Sequence, residues 1–157
     1  MKTKWFLSSI ILFIVIGGLV YMFITKDKRY SVSYKLPSGF KGCAIVVYDA
    51  DDAPALEIKD QNITYRFNDE GVLYTSSPAD FGWEGEKDSG FHETTYIYVD
   101  EKGKQVSELS TEDIIGHNKG SYENDKFQIE SFGVKTEDDE DICLGKIDKY
   151  IKTMNNK

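Results

Sequence analysis

Residues 30–48 read YSVSYKLPSGFKGCAIVVY. The first part alternates strictly, with Tyr30, Val32, Tyr34 and Leu36 on one side and Ser31, Ser33 and Lys35 on the other, the period of a strand with one wet face. Pro37-Ser38-Gly39 then turns the chain. Cys43 to Tyr48 is a continuous run rich in β-branched residues, the pattern of a strand buried on both faces. These two strands set the expectation of a layered sheet protein.

Working forward, Asp49 to Pro54 is an acidic loop. Its aspartates lack the alternation, central glycine and closing glutamate of an EF-hand, so a solvated turn is the better reading. Ile63, Tyr65 and Phe67 alternate into Asn68-Asp69-Glu70-Gly71, and Val72 to Tyr74 run back, which predicts a hairpin. A second is predicted from His92–Val99, Asp100-Glu101-Lys102-Gly103 and Gln105–Leu109. Ser110 to Asp113 starts at most one helical turn before Gly116. His117 to Asn124 reads as polar connection, and Phe127 to Val134 as a last strand with an irregularity in its middle. Thr136 is placed as the N-cap of a closing helix, with acidic residues Glu137 to Asp141 in its first turns. Cys143, Ile147, Tyr150, Ile151 and Met154 form its apolar stripe, and lysines lie toward its far end. The expected fold is mainly β, a small antiparallel β-sandwich or barrel of about six to eight strands with a C-terminal helix. Transthyretin-like and immunoglobulin-like sandwiches both fit that count.

Working backward, Trp5 to Ile24 holds twenty residues with no charge and no proline. As a helix it reaches about 30 Å, the thickness of a bilayer's hydrocarbon core. A cleaved secretory signal would end in small residues at alternating positions, whereas Val20 to Ile24 is bulky and a charged cluster follows directly. An uncleaved signal anchor is therefore expected, with residues 1–29 as anchor and basic flanks and 30–157 as one domain. The short basic tail stays inside and the long domain is delivered outside, giving a single-pass protein of the cell membrane.

The domain after residue 29 keeps all but five of the 19 basic and all but one of the 27 acidic side chains, a net charge of about −12. Such a surface repels nucleic acid phosphate and anionic lipid, so no nucleic-acid partner is expected. Two cysteines, Cys43 and Cys143, stand one hundred positions apart. In an oxidising exterior they could close a disulfide; the alternative is two unrelated buried thiols. They are too few, and wrongly spaced, for a metal site, and no cofactor motif is present.

No catalytic residues are assigned. A hydrolase would have to gather His92, His117, Asp80, Glu93 and a serine such as Ser76 or Ser77, but no nucleophile-elbow glycines flank those serines. The binding candidates are Phe81 and Trp83 in the loop TSSPADFGWEGEKDSG, residues 75–90. Exposed aromatics there would stack on a glycan or fill a pocket on a protein partner; folded back, they would cover one end of the sheet.

LPSGFKG (residues 36–42) leading into IVVY, then DDAPAL (51–56), FNDEGVLYTSS (67–77), Phe81-Gly82-Trp83, Tyr96-Ile97-Tyr98 and GVKTE (133–137) together resemble a domain of unknown function. It occurs in anchored or exported proteins of Gram-positive, spore-forming bacteria. The chain departs from that pattern at Cys43, where family members tend to carry a large aromatic. The resemblance implies a fold and an address but no activity. The function expected is a membrane-anchored extracytoplasmic, non-enzymatic module contacting a protein or cell-surface ligand, with a small envelope hydrolase as the alternative.

Overall fold

The computed structural model of the chain describes residues 30–82, 93–122, 127–136 and 143–155. The expected anchor over Trp5–Ile24 lies outside them, and among the described residues no helix is long and apolar enough to cross a membrane. The strands are β1 (Ser31–Pro37), β2 (Gly42–Val47), β3 (Ile58–Lys59), β4 (Asn62–Arg66), β5 (Val72–Tyr74), β6 (Thr94–Val99), β7 (Gln105–Glu108), β8 (Ile114–Tyr122) and β9 (Phe127–Val134). A single 3-10 turn, Thr111–Asp113, precedes β8, and helix α1 (Leu144–Asn155) closes the chain.

Two sheets result, ordered β3-β4-β1-β6-β7 and β5-β2-β9-β8. They are mixed, not antiparallel as expected: β1 runs parallel to β4 and β6, and β2 parallel to β5. The reason is that the chain alternates between layers. A strand that turns into the opposite sheet and then turns back re-enters beside its predecessor in the original direction. The first expected hairpin shows this. Its turn forms, with Gly71 in the left-handed region at φ +71°, Asn68 accepting from Val72 N at 2.8 Å through Oδ1, and Gly71 N donating to Asn68 O at 2.9 Å. Yet β4 stays beside β1 while β5 joins β2, so the turn is a corner between sheets. The second hairpin forms as read, with β6 antiparallel to β7.

Between the sheets lies a core rich in aromatic rings. Val32, Tyr34 and Leu36 of β1 meet Ala44, Val46 and Tyr48, Ile63, Tyr65 and Phe67, Tyr96, Phe132 and Val134. The opposite face of the four-stranded sheet is also covered: Cys43, Ile45, Val47 and Ile129 pack against Ile147 and Ile151 of α1. The CAIVVY run is therefore buried on both faces because it has a sheet on one side and a helix on the other. The Cys43 and Cys143 sulfurs are 2.10 Å apart, with Cα atoms 5.0 Å apart, tying β2 to the start of α1. The helix begins at Leu144, later than the expected Thr136 cap; the carbonyl of Cys143 accepts its first bond, from Ile147 N at 3.0 Å. Residues 137–142 lie outside the description.

The polar stretch after Gly116 is not a connection but most of β8, nine residues long and, among the described residues, paired with β9 alone. An edge strand with one solvated side needs no apolar alternation.

Candidate functional site

β9 is continuous along β2, without the irregularity its sequence suggested. Its apolar residues change face instead: Ile129 points to the helix side, Phe132 and Val134 point between the sheets. Glu130 shares that inner face and is 4% exposed, among the described residues the one buried side chain that carries a charge. Removing a carboxylate from water costs several kcal/mol, so it persists only with partners.

It has them from both layers. The Tyr34 hydroxyl on β1 donates to Oε1, and the Tyr48 hydroxyl donates to Oε2 at 2.5 Å. His117 Nε2 lies 2.9 Å from Oε1. Lys119 stands opposite Glu130 across β8 and β9, its Nζ 3.7 Å from Oε2 and 4.7 Å from the Tyr48 ring centroid, while donating to the Ala79 carbonyl. A carboxylate only accepts, so His117 Nε2 carries a proton. In the neutral ring Nδ1 then accepts, from the Tyr96 hydroxyl at 2.6 Å.

A bulge makes this possible. Ile115 pairs with Gly133 and Asn118 with Ser131, so β8 spends three steps where β9 spends two. Gly116 sits there at φ +57°, in the left-handed region, and the extra residue re-phases the strand so that His117 turns inward. Without it His117 would alternate onto the outer face.

The electrostatics follow from burial. Desolvation pushes the Glu130 carboxyl up, but hydrogen bonds from His117, Tyr34 and Tyr48 outweigh it and hold the carboxyl below its ordinary value. Burial, reinforced by the Glu130 charge, raises the Tyr34 and Tyr48 hydroxyls well above 10, and pushes Tyr96 up to about 12.

Tyr96, His117 and Glu130 thus form a hydroxyl–imidazole–carboxylate chain. As a nucleophile it is disabled, because the hydroxyl belongs to a tyrosine that is 6% exposed and held protonated. Nor does a serine take its place. Both His117 nitrogens are committed, and the buried Ser77 hydroxyl accepts Leu56 N at 2.8 Å, while Thr75 Oγ1 donates to the Pro54 carbonyl at 2.9 Å. These two side chains clasp the acidic loop against the sheet. His92 lies outside the described residues. The hub reads as a polar staple between the two sheets, satisfied from within.

Of the two aromatic binding candidates, Phe81 is half-buried against the inner cluster, its amide closing a turn onto the Pro78 carbonyl at 3.1 Å. Trp83 lies outside the described residues. Among the described residues no group of three or more His, Cys, Asp or Glu side chains is placed to hold a metal ion. Sequence reading missed Glu130, since one acid in an alternating strand carries no mark of which face it occupies. The available signal was the Gly116-His117 pair beside a strand end.

Fold and hub define a mixed β-sandwich with a helix cystine-linked to one outer face. The chain belongs to a family of unknown function, DUF6843, which matches residues 28–143. Its fold is similar to that of a Bacillus anthracis protein described as a candidate lipoprotein in its crystal structure. The TM-score is 0.60 at 18% identity, covering 79% of this chain and 92% of the other. At that identity the likeness is one of fold. No curated protein matches the sequence.

Proposed function

We propose that the chain is an exported, envelope-associated module that is tethered to the cell membrane by Trp5–Ile24, contacts a protein or cell-surface ligand, and performs no chemistry of its own. The observation that carries this reading is the pairing of Cys43 with Cys143. Disulfides persist in oxidising compartments and are rare where thiols are kept reduced, so a cystine joining a core strand to the closing helix fits a domain delivered outside. The fold it shares with a candidate lipoprotein is in keeping with that address. The absence of chemistry is supported by the Glu130 hub, whose acid, base and hydroxyls are spent on one another.

Protease treatment of intact protoplasts carrying the full-length protein tests the address. The acidic domain is expected to be digested from outside while a cytoplasmic marker survives. Protection until lysis would overturn the reading.

A further inference from the structure

Because β1, β4 and β6 run parallel, they finish at the same end of the five-stranded sheet. The turns that follow them gather there around a cleft of about 640 Å³, the size of a small-molecule site. Its apolar part comes from Phe67 and Val99; its charges are Arg66, Lys102, Asp69, Asp100 and Glu101. Arg66 is the one arginine beyond residue 29, in a domain that uses lysine for every other cation. Arginine differs from lysine in presenting a planar fork that fits a carboxylate with two bonds. Its guanidinium lies against the backbone of Gly103, in the space that an added Cβ would fill.

Among the described residues, the Arg66, Asp69 and Glu101 side chains form no ion pair. Asp100 is already committed: its Oδ1 accepts from Lys102 N at 3.0 Å and Lys104 N at 2.8 Å. An open cleft therefore presents an unspent guanidinium and two unspent carboxylates. A simple anion would face the carboxylates, and a bare cation would face Arg66 and Lys102. A ligand bearing both signs satisfies both sets.

We propose that this cleft binds a small zwitterion, an amino acid or short peptide with free ends, whose carboxylate pairs with Arg66 and whose ammonium lies between Asp69 and Glu101. The inference rests on reading the chain as a binding module, and it is tested separately from the address, since titration reads binding whatever the compartment.

The test titrates the full-length protein with the dipeptide Ala-Ala, its N-acetylated form and its C-terminal amide. Calorimetry is combined with the NMR signals of the arginine Nε–H groups, of which the chain has two. Saturable binding that shifts the Arg66 signal is expected, weakened about tenfold or more by amidation, by Arg66→Gln, and by the double variant Asp69→Asn, Glu101→Gln, a loss of about 1.4 kcal/mol per tenfold. All three side chains are exposed, and unchanged urea midpoints in the variants separate lost binding from lost folding. No binding at millimolar dipeptide, or binding indifferent to amidation and to Arg66→Gln, overturns the proposal. Equal binding of the acetylated form overturns the role of the carboxylates.

Discussion

His117 Nε2 lies 2.9 Å from Oε1 of Glu130, so an imidazole on the edge strand β8 meets a carboxylate buried between two sheets. The pair is the link through which β1, β6, β8 and β9 share one polar network, because Tyr34 reaches the same oxygen and Tyr96 the other side of the ring.

Truncating the hub exposes what it holds. Glu130→Ala leaves the Tyr34 and Tyr48 hydroxyls, His117 and Lys119 facing an empty site, and loss of one partner from a buried charged network costs about 3–5 kcal/mol. Urea unfolding should show a lower midpoint with an unchanged slope. A loss below about 1 kcal/mol, the scale of an exposed ion pair, would mean that water already reaches the carboxylate.

The hub also sets a pH window. The Glu130 carboxyl is lowered in the folded chain from an ordinary value of 4.5, so the unfolded chain takes up the proton first as pH falls. Its contribution is present above that value and disappears as pH drops through the lower folded value. Tyr34 and Tyr48 act at the other end. Their hydroxyls are raised in the folded chain, so their contribution is full below pH 10 and is lost as pH climbs past it. Urea midpoints measured from pH 3 to 11 should form a plateau with two falling flanks. Glu130→Gln should flatten the acid flank.

Gly116→Ala tests the bulge. The nearest atom to the added Cβ would be Asn118 Nδ2 at 3.8 Å, so space is available and the cost is conformational. A left-handed alanine loses about 1–2 kcal/mol. If the bulge straightens instead, His117 leaves Glu130, and the imidazole NMR signals should lose their coupling to Glu130 ionisation.

How much of this was legible follows from how each residue announces itself. The alternation of Tyr30 to Leu36 and the unbroken CAIVVY run identified β1 and β2, since burial on one face or two writes directly into hydrophobic period. Ile147 and Ile151 likewise marked the inward stripe of α1. β8 escaped because His117, Asn118 and Lys119 lie on a solvated edge. The parallel pairings escaped because Asn68 and Gly71 specify a turn, not which sheet receives the next strand. The hub escaped for both reasons at once: Glu130 is placed by pairing, and His117 by a bulge in a strand that polar residues conceal.

The cystine closes a loop of about one hundred residues, and such a crosslink typically contributes about 2–4 kcal/mol. Replacing both Cys43 and Cys143 with alanine should lower the urea midpoint accordingly. It should also loosen α1, seen as faster amide exchange at Ile147 and Ile151.

The proposed export of this cystine-tied domain is tested most directly by the thiol state of the full-length protein taken from its native membranes under acid quench. Maleimide labelling under denaturing conditions should leave Cys43 and Cys143 unmodified until a reductant is added, after which both should react. Two free thiols in the unreduced sample would contradict the bond and, with it, the oxidising compartment on which the proposed function depends.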